Sequence, residues 1–203
     1  MSDAKEPINF WFDFSSPYSY IASERIDELV AKHGRKVKWR PIMLGAAFKA
    51  SGLPFLVNVP LKGEYSKRDF DRSARYLGVP YTFPPRFPVT TLAAARGYYW
   101  LHGRDCAKAR EFAHAVFRAY WVDGRDIGEL PVVLEIADGL GIDVDAYTAA
   151  IATPEVKDRL KQETDAAVAR GMFGAPYFMV DGEPFWGADR LPQIDKWLAT
   201  GGF

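Results

Sequence analysis

Hydrophobic and polar residues alternate with different periods near the start of the chain. The segment INFWFDF (8–14) is short and rich in β-forming residues, which predicts a strand buried on both faces. In residues 17–34 the apolar positions recur at helical spacing, which predicts an α-helix ending at Gly34. KVKWRPIML (36–44) alternates as a second strand. These segments predict a β-α-β unit with parallel strands and a right-handed crossover.

The rest of the chain changes period twice. Residues 46–171 are helical almost throughout, and scattered glycines interrupt their apolar stripes, which predicts several separate helices. The strand pattern returns in residues 176–187, where PYFMVD and PFWG predict a hairpin turning at Gly182-Glu183. A final helical segment follows.

The order of these elements is β-α-β, helical block, β-β-α. It predicts an α/β protein with a thioredoxin-like core and an inserted all-helical domain. We expect the core to comprise residues 1–45 and 172–203, and the insertion to comprise residues 46–171.

Composition and charge narrow the class of protein. Of the 203 residues, 48% are hydrophobic, which indicates a globular chain. Lys and Arg number 26, as do Asp and Glu, so the net charge is zero and no basic stripe suggests a nucleic acid partner. No apolar run approaches the roughly 18 residues of a membrane helix, and the first ten residues lack the pattern of a secretion signal. We therefore expect a cytoplasmic protein without a membrane segment.

Cysteine and histidine usage gives no sign of a metal or disulfide site. Cys106 is the only cysteine, so it forms no internal disulfide, which fits a reducing compartment. Its helical surroundings predict a small buried hydrophobe without a catalytic role. His33, His102 and His114 are too far apart in sequence to suggest a metal site.

Ser16-Pro17-Tyr18-Ser19 begins the first helix, where a thiol-disulfide enzyme would carry Cys-x-x-Cys. Two serines cannot cycle through a disulfide, so that chemistry is excluded. Ser16 suits a helix N-cap, and Pro17 suits the position after it. Its hydroxyl also suits hydrogen bonding to an anion, such as a thiolate carried by a ligand. Such a bond and the helix end together would lower a thiol pKa by about one to three units.

Three more candidates have both a structural and a functional interpretation. Ala175-Pro176 opens a strand, where the bond is either an ordinary trans bond or a cis bond that presents the backbone to an extended peptide. Asp189 suits the cap of the last helix, or an ammonium partner beside the helix N–H groups of Arg190. Lys62 suits a solvated surface position, or a contact with a carboxylate.

Three segments together carry a family resemblance: FWFDFSSPYSYIAS, LKGEYSKRDFDRSARYLGVPYTFP and MFGAPYFMVDGEPFWGADRL. They resemble the 2-hydroxychromene-2-carboxylate isomerases and their relatives, the kappa-class glutathione transferases, within the DsbA-like group of thioredoxin folds. The resemblance implies that Ser16 hydrogen-bonds the sulfur of glutathione. It also implies that Ala175, before a cis-Pro176, pairs with the tripeptide backbone.

The resemblance extends to both ends of glutathione. It implies that Asp189 and Arg190 hold the γ-glutamyl end and that Lys62 reaches the glycyl carboxylate. Two positions depart from the kappa pattern: Leu53 stands where an asparagine is common, and Ala188 where a serine is common. The resemblance therefore implies fewer polar contacts to glutathione in this chain.

The function implied is glutathione-dependent isomerisation of 2-hydroxychromene-2-carboxylate and trans-o-hydroxybenzylidenepyruvate in aromatic degradation. The implied partner is a small aromatic carboxylate, and a homodimer is implied by resemblance alone. A kappa-like transferase that consumes glutathione and a non-catalytic peptide-binding module stay open as alternatives. Several residues of the helical segment are candidate substrate contacts, but each also fits ordinary packing or, for the arginine, a surface charge: Phe83, Arg86, Phe87, Tyr98, Trp100 and Trp121.

Overall fold

The predicted first strand lies at the centre of a four-stranded sheet. The computed structural model describes residues 6–203, so the first five residues of the predicted core lie outside the described residues. In the sheet order β2-β1-β3-β4, only the β1 and β2 pair is parallel. The strands are β1 (Ile8–Phe12), β2 (Val37–Pro41), β3 (Tyr177–Val180) and β4 (Glu183–Trp186).

Both faces of β1 are buried, as its sequence predicts. Phe10 and Phe12 belong to the larger hydrophobic core, where Phe10 stacks on Phe178 with ring centroids 5.1 Å apart. Trp11 points to the opposite face and joins a second, smaller cluster with Tyr177. Because side chains alternate between the two faces of a strand, β1 contributes to two separate apolar clusters.

The predicted helix over 17–34 is divided into α1 (Pro17–Ser23) and α2 (Ile26–Ala31). Arg25 leaves the helical conformation between them, and its guanidinium donates to the carbonyl oxygens of Leu77 and Gly78. In the sequence, the helical spacing of apolar residues continues across Arg25. In the structure the helix is nevertheless divided there, where these tertiary hydrogen bonds hold Arg25.

Helices fill most of the chain between β2 and β3. They share the larger core with the sheet, because Phe117 on the sixth helix packs against Phe12 and Phe14. The division into a core and an insertion at residues 46 and 171 stays a prediction. The helices are α3 (Leu44–Ser51), α4 (Lys62–Leu77), α5 (Leu92–His102), α6 (Cys106–Trp121), α7 (Leu130–Gly139), α8 (Val144–Ala152) and α9 (Pro154–Ala169), with a short 3-10 turn at Leu56–Asn58.

The C-terminal hairpin turns one residue earlier than predicted. Asp181 and Gly182 both have positive φ, 52° and 90°, which is the backbone of a tight primed turn. Aspartate tolerates this conformation better than most residues, so Asp-Gly forms the turn and Glu183 begins β4. A 3-10 turn at Ala188–Arg190 and α10 (Leu191–Thr200) complete the chain.

Cys106 is exposed, so the predicted buried position is wrong. It is the first residue of α6, and its Sγ lies 3.7 Å from His102 Nε2. The buried face of the helix begins only at Ala109. Within residues 6–203, no helix is long and apolar enough to cross a membrane, and no cluster of side chains suits a metal ion.

Candidate active site

Ser16, Lys62 and Ala175 line one cavity of about 680 Å³. They come from three distant parts of the sequence: the start of α1, the start of α4 and the loop before β3. This volume lies within the roughly 300–1,000 Å³ that is usual for small-molecule sites. Most of the remaining wall is apolar, including Phe48, Leu53, Phe55, Leu56, Phe70, Phe87 and Trp186.

Ser16 is both a helix cap and a link to the loop that carries Ala175. Its Oγ accepts a hydrogen bond from the Ser19 N–H at 3.2 Å, and Pro17 occupies the first helical position. The same hydroxyl donates to the carbonyl oxygen of Ala175 at 3.1 Å. The two interpretations of Ser16 are therefore compatible, because the same oxygen caps the helix and faces the loop that carries Ala175.

The Ala175-Pro176 bond is cis, which agrees with the second of the two sequence interpretations. The Pro176 carbonyl accepts from the Gly187 N–H at 3.0 Å. The N–H of Ala175 has no hydrogen-bond partner within residues 6–203, and Ala175 is half-buried at the cavity. An unused backbone donor thus lies beside the Ser16 hydroxyl.

Lys62 is the first residue of α4, directly after Leu61, whose φ is 65°. In the part of the chain that the structure describes, no carboxylate forms an ion pair with Lys62. Gly63 permits the geometry, because a Cβ there would lie 2.4 Å from the carbonyl oxygen of Val57. The glycine lets the 3-10 turn pack on the helix start, and this places the lysine in the cavity wall.

Asp189 and Arg190 do not line this cavity. Their side chains form an ion pair of 3.4 Å, and that of Asp189 is 72% exposed. Asp189 does not cap α10, because the cap position is Arg190 and its side chain makes no capping bond. The charge of Asp189 nonetheless acts on Tyr18, which lines the cavity. Burial and the hydrogen bond to Asp69 raise the pKa of Tyr18, and the negative charge of Asp189 adds to this rise.

Of the candidate substrate contacts in the helical segment, Phe87 lines the cavity. Phe83 packs on Phe87, with ring centroids 5.3 Å apart. Arg86 pairs with Asp126 and Glu129, so its charge is already neutralised. The remaining three are packed against other residues and do not reach the cavity: Tyr98, Trp100 and Trp121.

Sequence reasoning missed much of the apolar wall. Leu53, Phe55 and Leu56 all line the cavity although each is at least 36% exposed. The sequence signal for this part of the wall was a group of large apolar side chains in a loop that has neither helical nor strand periodicity. Leu53, the position that departs from the implied kappa pattern, adds apolar surface to this wall.

The fold and the site define a thioredoxin-like protein whose first helix begins with serine in place of a redox cysteine. Residues 7–199 match the model of the DSBA-like thioredoxin domain family. A 2-hydroxychromene-2-carboxylate isomerase of Sphingobium xenophagum is 34% identical over 196 residues, which cover 94% of this chain and 97% of the relative. The chain therefore belongs to the DSBA-like thioredoxin domains and, among them, to the 2-hydroxychromene-2-carboxylate isomerase family.

Two further comparisons agree with this assignment. A solved structure of a 2-hydroxychromene-2-carboxylate isomerase has a TM-score of 0.86 and 28% identity, covering 96% of this chain and 95% of that one. Glutathione S-transferase kappa 2 of Caenorhabditis elegans is 27% identical over 208 residues, covering 96% and 92%. The predicted fold and family are thus confirmed.

Proposed function

We propose that the protein is a glutathione-dependent isomerase that interconverts 2-hydroxychromene-2-carboxylate and trans-o-hydroxybenzylidenepyruvate. The observation that carries the proposal is the pairing of the Ser16 hydroxyl with the cis-proline loop at the edge of a largely apolar cavity. Relatives named as isomerases of this substrate and as glutathione transferases support it.

The residues present fit a peptide thiol. The Ala175 N–H has no partner within residues 6–203, and a backbone donor at a binding surface pairs naturally with an extended peptide. Lys62 offers a cation without an ion pair in the described residues. Asp189 and Arg190 offer opposite charges together, as an α-amino acid end requires.

Ser16 has the central role in this arrangement. In the structure its hydroxyl donates to the Ala175 carbonyl. When the hydroxyl turns toward a bound sulfur, that carbonyl becomes free to accept from a peptide N–H, while Ser19 N–H keeps the oxygen in place. One rotation thus exchanges an internal hydrogen bond for two bonds to the ligand.

Glutathione, held by Ser16, Ala175 and Lys62 with Asp189 and Arg190, would supply a nucleophilic thiolate to the conjugated carbon of the substrate. The chain's own residues supply position and electrostatics. The Ser16 hydroxyl favours the ionised form of the thiol. Phe55 and Phe87 offer apolar surface to the aromatic ring and exclude water from the site.

Counting thiol during turnover tests the proposal. The protein is mixed with glutathione and trans-o-hydroxybenzylidenepyruvate, and absorbance of the substrate and free thiol are followed together. We expect many turnovers that require glutathione, with a constant thiol concentration. A stoichiometric loss of thiol would instead establish a kappa-like transferase, and absence of glutathione-dependent turnover would favour the non-catalytic peptide-binding module.

The proposal also covers the cellular compartment and the oligomeric state of the protein. The reaction requires reduced glutathione, so we place the protein in the cytoplasm, where thiols are kept reduced. We also propose a homodimer, on resemblance alone. Light scattering tests it: a mass of one chain would contradict it.

A further inference from the structure

A single buried carboxylate joins three segments of the cavity wall. Asp13 follows β1 and is 6% exposed. Its Oδ1 accepts from the Ser15 N–H at 2.8 Å and from the Thr91 hydroxyl at 3.1 Å. Its Oδ2 accepts from the Leu44 N–H at 2.9 Å. All four residues line the cavity.

Each partner of Asp13 belongs to a different side of the site. Ser15 precedes Ser16 in the turn between β1 and α1. Leu44 is the first residue of α3, and Thr91 is the N-cap of α5. The Ser15 hydroxyl adds a second link to the loop before α5, because it accepts from the Val89 N–H at 3.2 Å.

Within residues 6–203, Asp13 lacks a cationic partner that would favour its buried negative charge. No cation forms an ion pair with Asp13 within residues 6–203, and the pKa of its carboxyl is raised by burial, against the hydrogen bonds that lower it. Thr91 makes no side-chain cap to α5, and its hydroxyl donates to Asp13. A buried carboxylate without a cation is costly to keep in the fold, and the three hydrogen bonds that offset this cost all come from residues that line the cavity.

We propose that Asp13 is a positioning residue for the reaction, and this inference rests on the proposed function. Its carboxylate holds the turn bearing Ser16 against the first residues of α3 and α5. It thereby fixes the thiol side of the cavity relative to the wall that receives the aromatic substrate. Reacting groups displaced by about 1 Å can lose up to about a hundredfold in rate, so such a link affects turnover directly.

Asp13→Asn tests the inference, because an amide cannot reproduce all three bonds. With its oxygen in the place of Oδ1, the amide nitrogen faces the Leu44 N–H and that link is lost. In the other orientation the amide nitrogen faces the Ser15 N–H and that link is lost, although the Thr91 hydroxyl can then accept from the amide. We expect kcat to fall about tenfold or more, while the Kd for glutathione measured by calorimetry stays within about threefold, since the Ser16 bonds to Ser19 and Ala175 do not involve Asp13.

Asp27→Asn is the matched control. Asp27 is partly buried and also accepts from two other elements, through Trp39 Nε1 and Arg110, but it does not line the cavity. We expect Asp27→Asn to lower the melting temperature with little change in kcat. Asp13→Asn with the same kcat as Asp27→Asn would overturn the inference.

Thr91→Val and Thr91→Ser provide a second pair if Asp13→Asn fails to fold. Valine removes one donor to Asp13 at nearly constant volume, whereas serine keeps the hydroxyl. We expect kcat to fall for Thr91→Val and to recover in Thr91→Ser, with the Kd for glutathione unchanged in both. Equal kcat in all three proteins would overturn the inference, whereas a wild-type protein without glutathione-dependent turnover would defeat the proposed function itself.

Discussion

The two sides of the cavity are built in different ways. On the side of the sheet, Ser16 is 4% exposed and its hydroxyl is hydrogen-bonded to a loop 159 residues away in sequence. On the helical side, Leu53 and Leu56 are 46% and 40% exposed and add apolar surface to the cavity wall. The sheet side thus holds its atoms in place by hydrogen bonds, whereas the helical side offers apolar surface. We expect changes on the first side to act on kcat and changes on the second to act on KM.

Ser16→Ala disrupts the sheet side most strongly. Loss of the hydroxyl removes the bond that favours the thiolate, so kcat should fall about ten- to a hundredfold. Stability should fall by about 0.5–2 kcal/mol through the lost cap. Steady-state kinetics at saturating glutathione measures the first, and urea unfolding the second.

Ser19→Ala is the control for that change. The Ser19 hydroxyl is buried without a hydrogen-bond partner within residues 6–203, so its loss should leave kcat unchanged. If Ser16→Ala and Ser19→Ala have the same kcat, the hydroxyl of Ser16 has no part in the reaction.

Gly63→Ala should affect the place where the two sides meet. The added Cβ would meet the Val57 backbone oxygen at 2.4 Å, so the 3-10 turn and the start of α4, which carries Lys62, have to move apart. We expect the KM for glutathione to rise about tenfold and stability to fall by about 1–3 kcal/mol. Gly139→Ala, where the Cβ meets nothing within 4 Å, should change neither. Wild-type KM and melting temperature in Gly63→Ala would contradict this expectation.

Phe55→Ala tests the apolar side by itself. Because the ring is 36% exposed, its loss removes surface available to the substrate more than it weakens the core. We expect the KM for the aromatic substrate to rise about two- to tenfold with kcat unchanged. Tyr76→Ala, on a ring that is 85% exposed and does not line the cavity, is the control. A fall in kcat at constant KM would contradict the division between the two sides.

Glu24→Gln tests a contact between the sheet side and the helical side without touching the cavity. Burial raises the pKa of Glu24, but hydrogen bonds from His114 and Arg118 outweigh it and lower the pKa to about 2. The ion pair therefore stabilises the fold above the ordinary pKa of 4.5, and this contribution is lost as the pH falls toward 2. At pH 7 we expect Glu24→Gln to be less stable by about 1–2 kcal/mol, after solvent screening.

Urea unfolding of both proteins between pH 7 and pH 3 measures this difference, which should narrow below pH 4.5. Glu135→Gln is the control, since its ion pair with Arg125 is exposed on α7. A difference between Glu24→Gln and wild type that is independent of pH would exclude the ion pair as its cause.

The sequence predicted the sheet side of the cavity better than the apolar helical side. The order of strands and helices along the chain and the position of Ser16 follow from period and capping, which are local properties. The break at Arg25 does not, because bonds to the end of α4 cause it. The contribution of Leu53 and Phe55 has no periodic signal, and the three partners of Asp13 become apparent only once the fold brings Leu44 and Thr91 to the end of β1.

A crystal structure with bound glutathione tests the central claim most directly. We expect the sulfur within about 3.5 Å of Ser16 Oγ, slightly beyond the usual range for oxygen pairs, with the tripeptide backbone paired to Ala175. The Ser16 hydroxyl should then have left the Ala175 carbonyl. Glutathione bound elsewhere, or bound with its sulfur turned away from Ser16, would contradict the proposed role of this residue.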